Sequence, residues 1–230
     1  KPSNSSSTYS FDKTGGFGSN VLGETWVAHH GSHDRESTRG MFAPGMEKHP
    51  ILQGIKDGEV WSPTDVYACK LPLPGDSRPV LLGAVLTGMK PTDPPVTGTK
   101  NNPMMPIVWT TSYRGSAGKS ARVVTSTMGC GEELLSSAQR RLLVNAAYWA
   151  LGMENLISAQ SDVGIVGTYD PTPRFGFNKH RPNMKPSDYA LTSVVTSASP
   201  TPPKATSAPR TTAPTAPTQS TPTKPQPIPP

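Results

Sequence analysis

The clearest patterning of apolar and polar positions lies between Asn102 and Glu154. Ile107 to Tyr113 and Ala121 to Met128 are rich in β-branched and aromatic residues, and both read as strands. The linking RGSAGKS has the Gly and Ser content of a hairpin loop. After a break at CGEE the period changes, and Ser136 to Leu151 reads as a helix. Leu142, Leu143, Ala146, Ala147, Trp149 and Ala150 form its apolar stripe, with Gln139, Arg140, Arg141 and Asn145 largely off it. Gly152 is placed to stop the helix. Glu132 and Glu133 precede it, where carboxylates favour the positive end of a helix dipole. A strand feeding a helix puts residues 129–133 at the carboxyl edge of a sheet, the edge at which open α/β folds bind ligands.

Upstream, Val80 to Met89 is a run of Val, Leu and Ala bounded by turn residues, and reads as a buried strand. Ile51, Leu52 and Ile55 give one apolar face over a single helical turn. Val21 to His30 is too short for periodicity to choose between helix and strand. Val60 to Tyr67 reads as an edge strand or loop, because Pro63 removes a ladder donor. The segment PTDPPVTGTKNNP is a loop long enough to predict a functional or lid role. The expected organisation is a flexible lead-in over 1–20, an α/β body over 21–155, a wrapping extension over 156–191 and a disordered tail over 192–230.

Composition changes this picture in one place. Apolar residues make up 33% of the 230, and the shortfall concentrates after Thr192, where Thr, Pro, Ser and Ala dominate. Such a tail cannot bury a core and has polyproline character. Its Thr/Ser density would suit O-glycosylation in an exported protein. Lys204, Arg210 and Lys224 account for three of the net six positive charges, leaving three for the rest. That balance, with signs interspersed, argues against a nucleic-acid partner. No run of about 18 apolar residues predicts a membrane span. The chain begins at Lys1, so a processed or partial chain is expected, and localisation stays open between cytoplasm and export. Cys69 and Cys130 lack any CxxC spacing and read as two unpaired thiols.

The densest polar cluster is Glu24, His29, His30, His33, Asp34, Glu36 and Arg39. On a helix, His29 and His33 would share a face and could bind one metal ion, but Gly31 argues against an unbroken helix. HHGSHD also lacks the Glu of a zincin motif, so metal and cofactor both stay undetermined. Cys130 sits between strand and helix, where amide donors can stabilise a thiolate. Met104 and Met105 read as gap-filling core residues and Trp109 as core, with Trp26 and Trp109 also able to stack on a ring. Adjacent Glu132 and Glu133 cannot flank a glycosidic bond from opposite sides.

The blocks NPMMPIVWT, RVVTSTMG and RRLLVNAAYWALGME resemble the late strands and final helix of the ThuA-like (trehalose-utilisation) family. LGETWVAHHGSH, STRG, HPILQGI, PTDVY, LPLPGD and VLTGMKPTDPP extend the resemblance over roughly 17–191. The resemblance implies an α/β, three-layer, flavodoxin-like fold of the class I glutamine amidotransferase-like kind. It also implies that the sheet is incomplete at its N-terminal side, since the family opens with strand–helix units that these blocks do not include. It implies a role in carbohydrate metabolism with a small-molecule sugar ligand. In that setting the His-rich stretch lines the site, with His30 or His33 as the acid/base. Glu24, Arg39 and Asp65, with Thr64, are the candidates to hydrogen-bond sugar hydroxyls. The GCG around Cys130 departs from the G-x-C-x-G elbow of an amidotransferase nucleophile. Two other expectations remain beside this one: a non-catalytic interaction module tethered by the Thr/Pro tail, and a truncated inactive fragment.

Overall fold

The computed structural model describes residues 16–24, 26–171 and 183–189. Residues 1–15 of the expected lead-in over 1–20, part of the extension over 156–191 and all of the tail over 192–230 lie outside the described residues. Among the described residues of Lys1–His180, the larger of two compact units, seven strands form two sheets. In the second unit, Arg181–Pro230, the described residues make one 3-10 turn, Pro186–Tyr189. The Lys185 N–H closes it by donating to Asp188.

The main sheet has the order β3-β2-β5-β6-β7, with β2 at Thr38–Phe42, β3 at Trp61–Ser62, β5 at Arg78–Val85, β6 at Met105–Arg114 and β7 at Ser120–Ser126. A two-stranded ribbon pairs β1, Trp26–His29, with β4, Tyr67–Cys69. Every pairing of named strands is antiparallel. The protein is therefore mixed α/β with an antiparallel sheet, and the described residues do not form the parallel sheet of a flavodoxin-like fold. The connections explain this. Parallel neighbours need a crossover of a dozen or more residues, usually a helix. Here β6 and β7 are joined by a tight hairpin, in which Gly115 N–H donates to Lys119 and Gly118 takes a positive φ of 77°. Between β5 and β6 the chain folds back on itself, bridging Leu86 to Pro95, with no intervening α-helix.

The three predicted strands are present with shifted ends. The strand expected to run to Met89 stops at Val85, because Leu86 and Thr87 turn their amides to Ser37 and Pro94. The undecided Val21–His30 segment divides into a π-helical turn, Gly18–Leu22, and strand β1.

The helix, α1, spans Ser137–Ala150, with the Ser136 side chain accepting from Gln139 N–H and Gly152 at φ 72° beyond it. Its buried face differs from the expected stripe. Ala138, Gln139, Leu142, Asn145 and Ala146 are buried, while Leu143 and Ala147 are exposed. Asn145 decides this rotation. Its amide donates to the carbonyls of Ile51 and Gln53 at 3.0 and 2.9 Å, satisfying the Pro50–Leu52 turn against which the helix packs.

Helix and ribbon lie on opposite faces of the main sheet. Arg122 of β7 lies 5.0 Å over the Trp149 ring of the helix. Trp109 and Thr125, direct cross-strand partners, both donate to the Leu22 carbonyl, at 2.7 and 2.9 Å. Arg122 and Thr125 are an odd number of residues apart on one strand, so they point to opposite faces. The buried core cluster draws on both faces of the sheet and includes Ile51, Leu52, Val80, Leu81, Ile107, Val108 and Leu142, with Met105 packed at its margin.

Candidate functional site

A bulge in β1 sets the site. Trp26 pairs with Cys69 but Ala28 with Ala68, so one extra residue re-aims the strand's end. His29 lands opposite Tyr67, just beyond Asp65 in the facing chain. The backbone then turns back at once, as His30 and Gly31 N–H groups both donate to the Val66 carbonyl, at 2.9 and 3.0 Å. This approach requires glycine. A Cβ on Gly31 would stand 2.9 Å from Asp65 Cβ and 3.2 Å from Val66 N. The turn is secured by Ser32 N–H donating to Glu36, and by Lys100 donating to the same carboxylate at 2.5 Å. Burial opposes ionisation of Glu36, but Lys100 and the Ser32 bonds together outweigh it and hold the carboxyl below its ordinary pKa.

The result brings three side chains together. His29 Nδ1 lies 3.0 Å from one carboxylate oxygen of Asp65, and His33 Nδ1 lies 2.8 Å from the other. The two Nε2 atoms face each other at 3.4 Å, with the rings edge-on at 4.2 Å between centroids. The Asp65 side chain is 1% exposed, whereas the imidazoles are 46% and 43% exposed. A buried carboxylate is thus stabilised by imidazole N–H groups, while the rings remain open to solvent.

Beside this cluster lies a pocket of about 320 Å³ between ribbon and main sheet, within the size range of small-molecule sites. Glu24, Trp26 and Tyr67 line it from one side, and Trp109, Thr125 and Thr127 from the sheet. Trp26 and Tyr67 also meet His29 edge-on, with ring centroids 5.8 and 5.3 Å away, so cluster and pocket share a wall. Burial, reinforced by the charges of Asp65, Glu133 and Cys130, raises the Tyr67 phenol above its ordinary pKa. Tyr67 therefore meets a ligand as a neutral hydroxyl at neutral pH.

The candidates read from sequence divide accordingly. His33 and Asp65 are in the cluster, and Glu24 lines the pocket. His30 is not in the cluster: its Nε2 lies 2.8 Å from the Lys100 carbonyl, tying the turn to the long loop. Arg39 is also committed elsewhere, donating to the Pro91 and Asp93 carbonyls at 2.5 and 2.8 Å. It straps down the loop expected to act as a lid, which Asn101 also clamps through Val85 and Val96. Trp109 is core, 1% exposed, with its edge reaching the pocket. Both cysteines are unpaired among the described residues. Burial pushes the Cys69 thiol up to about 12 and also raises Cys130, so neither is poised as a thiolate.

Sequence reasoning passed over His29 as an acid/base and read Glu133 as a helix N-terminal charge. Glu133 is 2% exposed. It accepts from the Ser62 and Thr64 hydroxyls and from the backbone N–H groups of Gly129 and Cys130. This buried hub joins the β7–helix connection to the segment that presents Asp65. The i, i+4 spacing was the signal available for His29; for Glu133 the local signal is its place three residues after Cys130, and its bonds to Ser62 and Thr64 are not local.

Comparison with family profiles, with characterised proteins and with solved structures finds no match to this chain. Among the described residues, no helix is long and apolar enough to cross a membrane.

Proposed function

We propose that the chain is a ThuA-like domain that binds or processes a sugar derivative in the pocket beside Asp65. One observation carries this reading: a carboxylate–imidazole cluster shares Trp26 and Tyr67 with a pocket that also offers hydroxyls from Thr125 and Thr127. Aromatic faces beside hydroxyl and carboxylate groups suit a polyhydroxylated ring, which has apolar C–H faces and a polar rim. With Nδ1 engaged by Asp65, His29 or His33 takes and returns a proton at Nε2, which is general acid–base chemistry. The resemblance of the sequence blocks to the ThuA-like family supports the same ligand class. On this reading the antiparallel sheet is one part of a flavodoxin-like, class I glutamine amidotransferase-like architecture. A structure of a longer chain tests that point, through a parallel strand added at the β3 or β7 edge.

Calorimetric titration with trehalose, glucose and related sugars tests the ligand class. Binding should weaken at least tenfold in Trp26→Ala and in Asp65→Asn, with circular dichroism unchanged. Absence of binding by the unaltered protein to every sugar tried, or equal binding by both variants, overturns the proposal.

A further inference from the structure

We infer that His29 and His33 form a binding site for a divalent transition-metal ion, with Asp65 as the residue that orients both ligands. The argument starts from hydrogen positions. A carboxylate only accepts, so an imidazole nitrogen facing it carries the hydrogen. Both Nδ1 atoms face Asp65, at 3.0 and 2.8 Å, so both are donors. In neutral imidazole the other nitrogen then carries the lone pair. Two such Nε2 atoms stand 3.4 Å apart, a contact that either a proton on one ring or a metal ion between the two lone pairs relieves.

The spacing suits a metal ion. For metal–nitrogen bonds of the usual 2.0–2.1 Å, two tetrahedral ligands stand about 3.3 Å apart. The observed 3.4 Å is that edge. A carboxylate on the far nitrogen of each ligating histidine is the arrangement that fixes tautomer and ring orientation and raises ligand basicity. Here one carboxylate serves both rings, and its burial to 1% exposure prevents solvent from releasing them.

The site is also built in advance. The bulge in β1, the glycine-dependent approach of Gly31 to Asp65 and the Lys100–Glu36 pair all hold the turn that carries His33. Half-exposed imidazoles leave the remaining coordination positions to water or to an incoming oxygen ligand. Imidazole donors suit zinc, copper, nickel, cobalt and iron in preference to calcium or magnesium. Metal binding is measured without sugar and stands apart from ligand binding in the pocket; with the ion bound both Nε2 lone pairs are engaged, so acid–base work at Nε2 belongs to the metal-free protein.

The test uses the full chain made without a polyhistidine tag and treated with chelator. Titration with Co²⁺ should give one equivalent of a visible absorption band, displaced by Zn²⁺. His29→Ala and His33→Ala should each abolish the band. Asp65→Asn keeps both ligands and should weaken Co²⁺ binding 10- to 100-fold, the usual effect of removing an orienting partner. Both histidines are half-exposed, and an unchanged thermal melt of the alanine variants separates ligand loss from unfolding. No stoichiometric Co²⁺ or Zn²⁺ binding by the unaltered protein overturns the inference. So does binding that survives either alanine substitution. Sugar titrations run with and without chelator fail or succeed separately from this result.

Discussion

Replacing Glu133 by Ala removes the acceptor for four donors at a position 2% exposed. The Ser62 and Thr64 hydroxyls can turn to each other, since their oxygens already stand 2.5 Å apart. The backbone N–H groups of Gly129, which is exposed, and Cys130, which is half-buried, lose their acceptor and fall back in part on water. Each buried donor left unsatisfied costs about 1–3 kcal/mol. With the void left by the side chain, the expected loss is about 2–4 kcal/mol. Glu133→Gln retains one acceptor oxygen but turns an NH₂ towards donors, and should cost about 2–3 kcal/mol. A glutamate acting only as a helix N-terminal charge would contribute about 0.3–1 kcal/mol. Urea unfolding followed by tryptophan fluorescence separates the two, provided the m-value is unchanged. A loss below about 1 kcal/mol for the Ala variant would refute the hub reasoning.

Two further outcomes are expected. Gly31→Ala forces a Cβ to within 2.9 Å of Asp65 and should push the His33 turn outward, costing about 1–3 kcal/mol, as overpacking does, and disturbing the imidazole cluster. Its two-dimensional ¹H–¹⁵N spectrum should show shifts centred on His29, His33 and Asp65, and shifts elsewhere alone would argue against the contact. Asp76 is held at a pKa of about 2, first by the Ser112 hydroxyl and backbone N–H and then by the Thr111 hydroxyl. A depressed carboxyl pKa stabilises the fold above the unfolded value near 4 and loses that effect as pH falls towards about 2. Asp76→Asn should therefore lower the melting temperature at pH 7, and the difference from the unaltered protein should narrow between pH 4 and pH 2. A difference independent of pH would show that the charge plays no part.

The strands around Trp109 and Val124, and the helix around Leu142, were legible because their signals are local. Alternation and helical period appear within a few residues, and the stop at Gly152 lies next to the helix it ends. The pairing sense was less accessible. Short turns imply antiparallel neighbours, and RGSAGKS was recognised as one, but the return of residues 86–104 depends on bonds from Arg39 and Asn101. The helix face was misjudged at Asn145, because an amide off the apolar stripe becomes buried once it has carbonyls to satisfy at Ile51 and Gln53.

The sequence by itself determined the positions of these elements, the concentration of histidine in HHGSH and the separate character of the Thr/Pro tail. Only the tertiary structure decided which histidines act together. His29 and His30 are neighbours, and on a strand neighbours point to opposite sides. The bulge between Trp26 and Ala28 determines which of them faces Asp65, a residue 36 positions away, and which faces the Lys100 carbonyl. A bulge is a property of paired strands, and the partner strand is distant in sequence, so no local pattern in HHGSH can encode the choice.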